Sequence, residues 1–242
     1  MDLIDKLRSL NAEVGNIIPK NMLFNEGWLL RVLLKREQEK NTNMSIYSEA
    51  QLRCPTANES IKKIGSTRVD GIVGDFDPRQ LSGVRFRHDL KCLDVYEAKI
   101  RSPLSRRTKN IDDINQVTRI AISIICELLK ADIHDISQKA VSIIVLYPRT
   151  NAKKGNLGAI TREQIRAQVQ KMIEYGAINE EAFIAHWEIL FRRIKLKYMT
   201  WGYLLKKKYN QDSPEYEFYK EVLRANKAKG SKRKKKYYNK CI

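Results

Sequence analysis

Apolar residues recur along this chain with two periods, and each period predicts its own kind of element. In residues 20–40, KNMLFNEGWLLRVLLKREQEK, the residues Met22, Leu29, Leu30 and Leu33 share one helical stripe, which predicts a helix. Glu26 falls on the same stripe. It either reaches solvent at the helix start, where an acid suits the dipole, or has a task of its own. Residues 41–64 are polar, with asparagines and a proline, and read as a connection with room for one short helix. TRVDGIVGDF (67–76) reads as a short strand closed by Gly74 and Asp75, and SGVRFRHDLK (82–91) as an outward-facing strand or hairpin arm. Cys92, Leu93, Val95, Tyr96, Ala98 and Ile100 mark a buried strand over 92–100.

Farther on, Ile114, Val117, Ala121, Ile124, Ile125 and Leu128 form the buried face of a helix predicted over 111–130. KAVSIIVLYP (139–148) is a continuous apolar strand stopped by Pro148. Strand, helix and strand with apolar runs on both sides predict a β-α-β crossover in an α/β fold, its central sheet covered on both faces. Beyond residue 150 the pattern is mostly helical, over 160–175 and from about 187 to 228. AFIAHWEIL leaves open a short edge strand, because periodicity does not separate it from a helix start. The expected organisation is a core over 1–150 with N-terminal helices, a mostly helical extension over 151–225 packed on it, and a basic, disordered tail over 226–242.

Charge narrows the function. Lys and Arg number 46 against 28 Asp and Glu, for a net charge of +18. From residue 222 onward there is no acid and there are nine Lys and Arg, so taking nine from +18 leaves +9 on the body. A body basic in its own right points to a polyanionic partner, nucleic acid first and an anionic membrane surface second. No apolar run is long enough to span a bilayer, and MDLIDKLRSL carries acids unlike a signal peptide. Cys54, Cys92, Cys126 and Cys241 show no metal-site spacing and read as reduced thiols of a cytoplasmic protein. His88, His134 and His186 are too scattered for a zinc motif.

The candidate chemistry sits in CLDVYEAKIRS (92–102), where a buried strand carries two charges. Strand periodicity puts Glu97 and Lys99 on one face, with Ala98 opposite. Asp70, on the strand before, comes near Glu97 if the two strands are antiparallel neighbours. Two carboxylates and an ammonium at one strand edge suit Mg²⁺, which takes oxygen ligands and keeps several waters. The alternative is a purely structural Glu97–Lys99 ion pair. Asp75 and Asp77 are rivals for the first carboxylate, but they follow the strand in a turn-like segment. Asp89-Leu90-Lys91 has the same acid-x-Lys spacing but lies in a polar flank ahead of the apolar strand.

Asp70, then Glu97-Ala98-Lys99, then a basic loop and a helix, resembles the PD-(D/E)XK nuclease superfamily of restriction enzymes, resolvases and repair nucleases. The resemblance covers residues 20–148 and leaves 150–242 uncovered. It implies a restriction-endonuclease-like core: a helix, a mixed sheet bearing the D and the ExK, a crossover helix and another strand. Glu26 stands where many members have an extra metal-binding Glu, and Gln116 where some have a functional Gln. Two features depart from the pattern. Val69 precedes Asp70 in place of the common Pro, and the 27 residues from Asp70 to Glu97 require an inserted hairpin.

The implied activity is Mg²⁺-dependent cleavage of double-stranded DNA, of the type II restriction endonuclease kind. Asp70 and Glu97 would be the metal ligands and Lys99 the third catalytic group. Arg101, Arg106, Arg107 and Lys109 would contact phosphates, and Arg85, Arg87 and Lys91 would reach a groove. One core cuts one strand, so double-strand cleavage implies a homodimer. The rivals are a structure-specific, repair or CRISPR-associated nuclease, and a basic nucleic-acid-binding protein whose ExK is accidental.

Overall fold

The computed structural model describes residues 44–52, 67–79, 83–99, 114–147 and 160–213, together with Leu30, Leu34, Tyr216, Glu217 and Lys220. Seven strands are described: β1 (Ser45–Leu52), β2 (Thr67–Gly74), β3 (Phe76–Pro78), β4 (Val84–Phe86), β5 (Cys92–Ala98), β6 (Ala140–Tyr147) and β7 (Lys195–Thr200). Four helices accompany them: α1 (Gln116–Lys130), α2 (Arg162–Glu174), α3 (Glu181–Arg193) and α4 (Trp201–Lys208). Leu30 and Leu34 are helical and fully buried, and the rest of the helix expected over 20–40, with Met22, Leu29 and Leu33, lies outside the described residues.

Five strands form one mixed sheet in the order β1-β2-β5-β6-β7. β1, β2 and β5 are antiparallel neighbours, whereas β5, β6 and β7 run parallel. The change of sense falls at β5, where α1 provides the crossover that a parallel pair needs. Along β5 and β6 alternate side chains enter two separate cores. Leu93, Val95, Val141, Ile143 and Val145 pack with α1, α2 and α3. Tyr96, Ala98, Ile144 and Leu146 pack with Leu30, Leu34 and α4. Burial on both faces explains why β5 and β6 read as continuous apolar runs.

α1 starts later than expected, at Gln116, because the Asn115 side chain takes the N–H of Thr118 at 2.9 Å and caps the helix there. It ends where Asp132 adopts φ 58°, with Asp132 N–H bonded to Leu129 O and Ile133 N–H to Leu128 O. β3 and β4 pair as a separate antiparallel hairpin between the strands of Asp70 and Glu97, which is the inserted hairpin.

Three expectations are corrected. Within 41–64, Ser45–Leu52 is a strand, not a loop or helix: its buried Ala50 and Leu52 pack on the α1 side of the sheet. AFIAHWEIL belongs to helix α3, since Phe183, Trp187, Leu190 and Phe191 recur at helical spacing and are all buried. The edge strand is instead KLKYMT, inside the stretch expected to be helical from 187 to 228. That strand extends the sheet that β6 would otherwise end, so the sheet continues past the boundary expected at residue 150.

Candidate functional site

β2 and β5 stay paired over four positions only, from Gly74↔Leu93 to Gly71↔Tyr96. At the next position they fork. The N–H of Lys99 points to β6, where it donates to Leu146 O at 2.8 Å, so the N–H of Ala98 points the other way, toward β2. A carbonyl of β2 would ordinarily accept it. Here the Asp70 carboxylate does, through Oδ2 at 2.6 Å. The acid thus fills a ladder position and is locked beside Glu97 and Lys99.

Two features of β1 and β2 shape this fork. Gly71, the residue after Asp70, is pressed against buried Leu30: a Cβ there would lie 2.8 Å from a terminal carbon of that side chain. On β1, Glu49 stands between the pairs Ser48↔Gly71 and Ala50↔Val69, across from Asp70, with φ 54°. A positive φ in a strand residue other than glycine is strained backbone, and such strain gathers at functional sites. The Glu49 carboxylate pairs with Arg68 at 3.1 Å.

The Glu97 and Lys99 side chains form an ion pair. The carboxylate is 1% exposed and the Lys99 side chain 12%, so the pair is sunk at the end of the sheet on the α1 side. Lys99 is anchored twice through its backbone, by the bond to Leu146 and by the Trp201 indole Nε1, which donates to Lys99 O at 3.2 Å. On the opposite face of β5 lies another carboxylate, Asp94. Burial pushes its pKa up, while Lys197, Ser142 and Lys207 pull it back down.

The rival carboxylates have other work or other surroundings. Asp75 accepts the backbone N–H groups of Lys91 and Cys92 at 2.8 and 3.0 Å and so ties the hairpin to β5. Asp77 is exposed on β3. Asp89 is exposed in the turn before β5 and forms a two-pronged pair with Arg87, at 3.0 and 2.7 Å. Arg85 and Arg87 are exposed on and beside the hairpin, and Lys91 is exposed just before β5.

Gln116 is half-buried at the first residue of α1, and no hydrogen bond among the described residues joins it to Asp70, Glu97 or Lys99. Glu26, Arg101, Arg106, Arg107, Lys109 and the tail lie outside the described residues. His134 and His186, distant in sequence, lie against each other with ring centroids 4.6 Å apart and ring planes tilted by 58°. Among the described residues no group of three or more His, Cys, Asp or Glu is assembled to hold a metal ion, and no helix is long and apolar enough to cross a membrane. Sequence reasoning missed Glu49 and Trp201. Comparison with protein-family models, curated proteins and solved structures finds no match.

Proposed function

We propose that the chain is a Mg²⁺-dependent endodeoxyribonuclease that hydrolyses phosphodiester bonds in double-stranded DNA, of the type II restriction endonuclease kind. The observation that carries the reading is the Asp70 carboxylate bonded to the N–H of Ala98, between Glu97 and Lys99. The order of elements supports it as well. A helix, a strand with the Asp, a strand with Glu-Ala-Lys, a crossover helix and a parallel strand follow one another as in the restriction-endonuclease-like core.

The residues fit the metal. Mg²⁺ is commonly held by one or two carboxylates and keeps waters for the rest of its shell. Asp70 and Glu97 would be two such ligands. Bound there, Mg²⁺ would polarise the phosphodiester and lower the pKa of a water. The Lys99 ammonium, held at the same end of the sheet, would orient that water or meet the charge that develops on the phosphate. Arg85, Arg87 and Lys91 present positive charge on the hairpin side, and the net charge of +18 favours a DNA partner. Cleavage of both strands by one site per chain calls for a homodimer.

A second reading has an observation in its favour. A carboxylate only 1% exposed and bound to a lysine has the form of a structural ion pair, and the protein would then be a basic nucleic-acid binder. Incubating supercoiled and linear plasmid with the protein in Mg²⁺ or in EDTA separates the two. A restriction enzyme gives discrete fragments in Mg²⁺ alone, and Glu97→Gln gives none while still shifting DNA in a gel. Smearing indicates a repair-type or defensive nuclease. A gel shift without cutting by the unaltered protein supports the binder.

A further inference from the structure

The carbonyl of Lys99 stands where the parallel ladder of β5 and β6 runs out toward a proline in the sequence. In the parallel register of β5 and β6, Glu97 pairs with Val145 and Ala98 with Leu146. Continued by one residue, that ladder sends the N–H of Lys99 to Leu146 O, and this bond is present. The regular pattern would next call on the N–H of residue 148 for Lys99 O. Residue 148 is a proline and has no N–H to give. A strand-end carbonyl left without a donor loses a hydrogen bond, and the residue that bears it frays.

The replacement donor is the indole Nε1–H of Trp201. It comes from the opposite layer of the protein. Trp201 is the first residue of α4, 2% exposed, in the core that also contains Ala98, Leu146, Leu204 and Leu205. Its origin is fixed by the sheet, because the preceding Thr200 pairs with Tyr147 and caps α4 by accepting the N–H of Tyr203 at 3.1 Å. A rigid, buried ring therefore reaches under the sheet end to hold Lys99, whose side chain lies on the other side with Glu97.

We infer that Trp201 is a positioning residue for Lys99: its N–H substitutes for the donor that Pro148 lacks and thereby fixes the backbone from which the Lys99 ammonium is aimed. The inference rests on the nuclease reading above. It gives the segment beyond residue 150 a part in the site. Displacing a catalytic group by about 1 Å costs up to about a hundredfold in rate. A merely structural bond would move stability and leave turnover alone.

The test replaces Trp201 by 3-benzothienylalanine through stop-codon suppression, putting sulfur where the N–H was while keeping the ring's shape. Trp201→Phe is made in parallel. The expected result for both is a ten- to hundredfold fall in kcat for DNA cleavage, with KM and the half-saturating Mg²⁺ concentration within about twofold of the unaltered protein. Hydrogen exchange at the Lys99 amide should quicken, with Leu93 and Val95 unchanged. The same replacement at Trp187, buried in the other core, serves as control and should leave kcat unchanged. If the unaltered protein cuts DNA and the benzothienyl variant, equally folded, cuts at the same rate, the positioning role is overturned. If the unaltered protein makes no Mg²⁺-dependent cut, the nuclease reading itself falls, and this inference with it.

Discussion

Lys99→Met separates a structural pair from a metal site in a single melting experiment. Glu97 is 1% exposed and faces Lys99, which is itself only 12% exposed. Removing the ammonium strands a buried carboxylate, and breaking such a pair costs about 3–5 kcal/mol. In a chain of this length each kcal/mol shifts Tm by about 2–4 °C, so in EDTA the variant should melt about 6–20 °C lower. Mg²⁺ changes the outcome if Asp70 and Glu97 bind it. The cation then supplies the missing positive charge and no longer competes with the Lys99 ammonium, so it should bind the variant more tightly, and a hundredfold difference in Kd closes the deficit by about 2.7 kcal/mol at saturation. Most of the deficit should therefore disappear in saturating Mg²⁺, while cleavage stays lost because the ammonium is gone. The assay is differential scanning calorimetry of both proteins with EDTA and with Mg²⁺, followed by plasmid digestion with the same samples. A deficit of equal size in the two buffers would refute the metal site and leave Glu97–Lys99 as a structural pair.

Two further outcomes follow from the strand junctions. Gly74 has φ 149°, and a Cβ there would sit 2.2 Å from Cys92 O, so Gly74→Ala should cost about 2–3 kcal/mol, read from urea unfolding; a loss below about 0.5 kcal/mol would show that the junction yields freely. The Cys92 thiol is pushed up to about 11, mainly by burial and further by Asp75 and Asp94. The folded state thus holds this proton more tightly than the unfolded one. Its contribution to stability is whole below the ordinary thiol value of about 8.5 and is lost as pH rises toward about 11. Iodoacetamide labelling of Cys92 at mildly alkaline pH, followed by mass spectrometry, should be much slower in the folded protein than in urea, and equal rates would contradict the raised thiol.

The parts of the fold covered on both faces were the parts legible in the sequence. β5, α1 and β6 announce themselves because nearly every residue in them is apolar or lies at helical spacing. β1 did not, since Ser48 and Glu49 interrupt its apolar positions and the distortion at Glu49 hides the alternation. β7 was lost between two helices whose stripes flank it, although Leu196 and Tyr198 alternate there with Lys195 and Lys197. Asp70, Glu97 and Lys99 could be brought together on paper because strand alternation and antiparallel pairing are local rules. Trp201 lies 102 residues from Lys99, and a proline that withholds one N–H is the sole hint in the sequence that a distant donor is needed.

β7 has a further consequence during synthesis. Until it is made, β6 is an edge strand whose residues Val141 to Leu146 are apolar except for Ser142, with nothing paired along one side. Such an edge is a template for pairing with other chains. Residues 148–194 must leave the ribosome before β7 can cover it, and throughout that interval the nascent chain is prone to aggregate. A fragment ending near residue 150 would remain in that state permanently and should accumulate as inclusion bodies, while the chain through Tyr209 seals its own edge with a strand that shows lysine to the solvent.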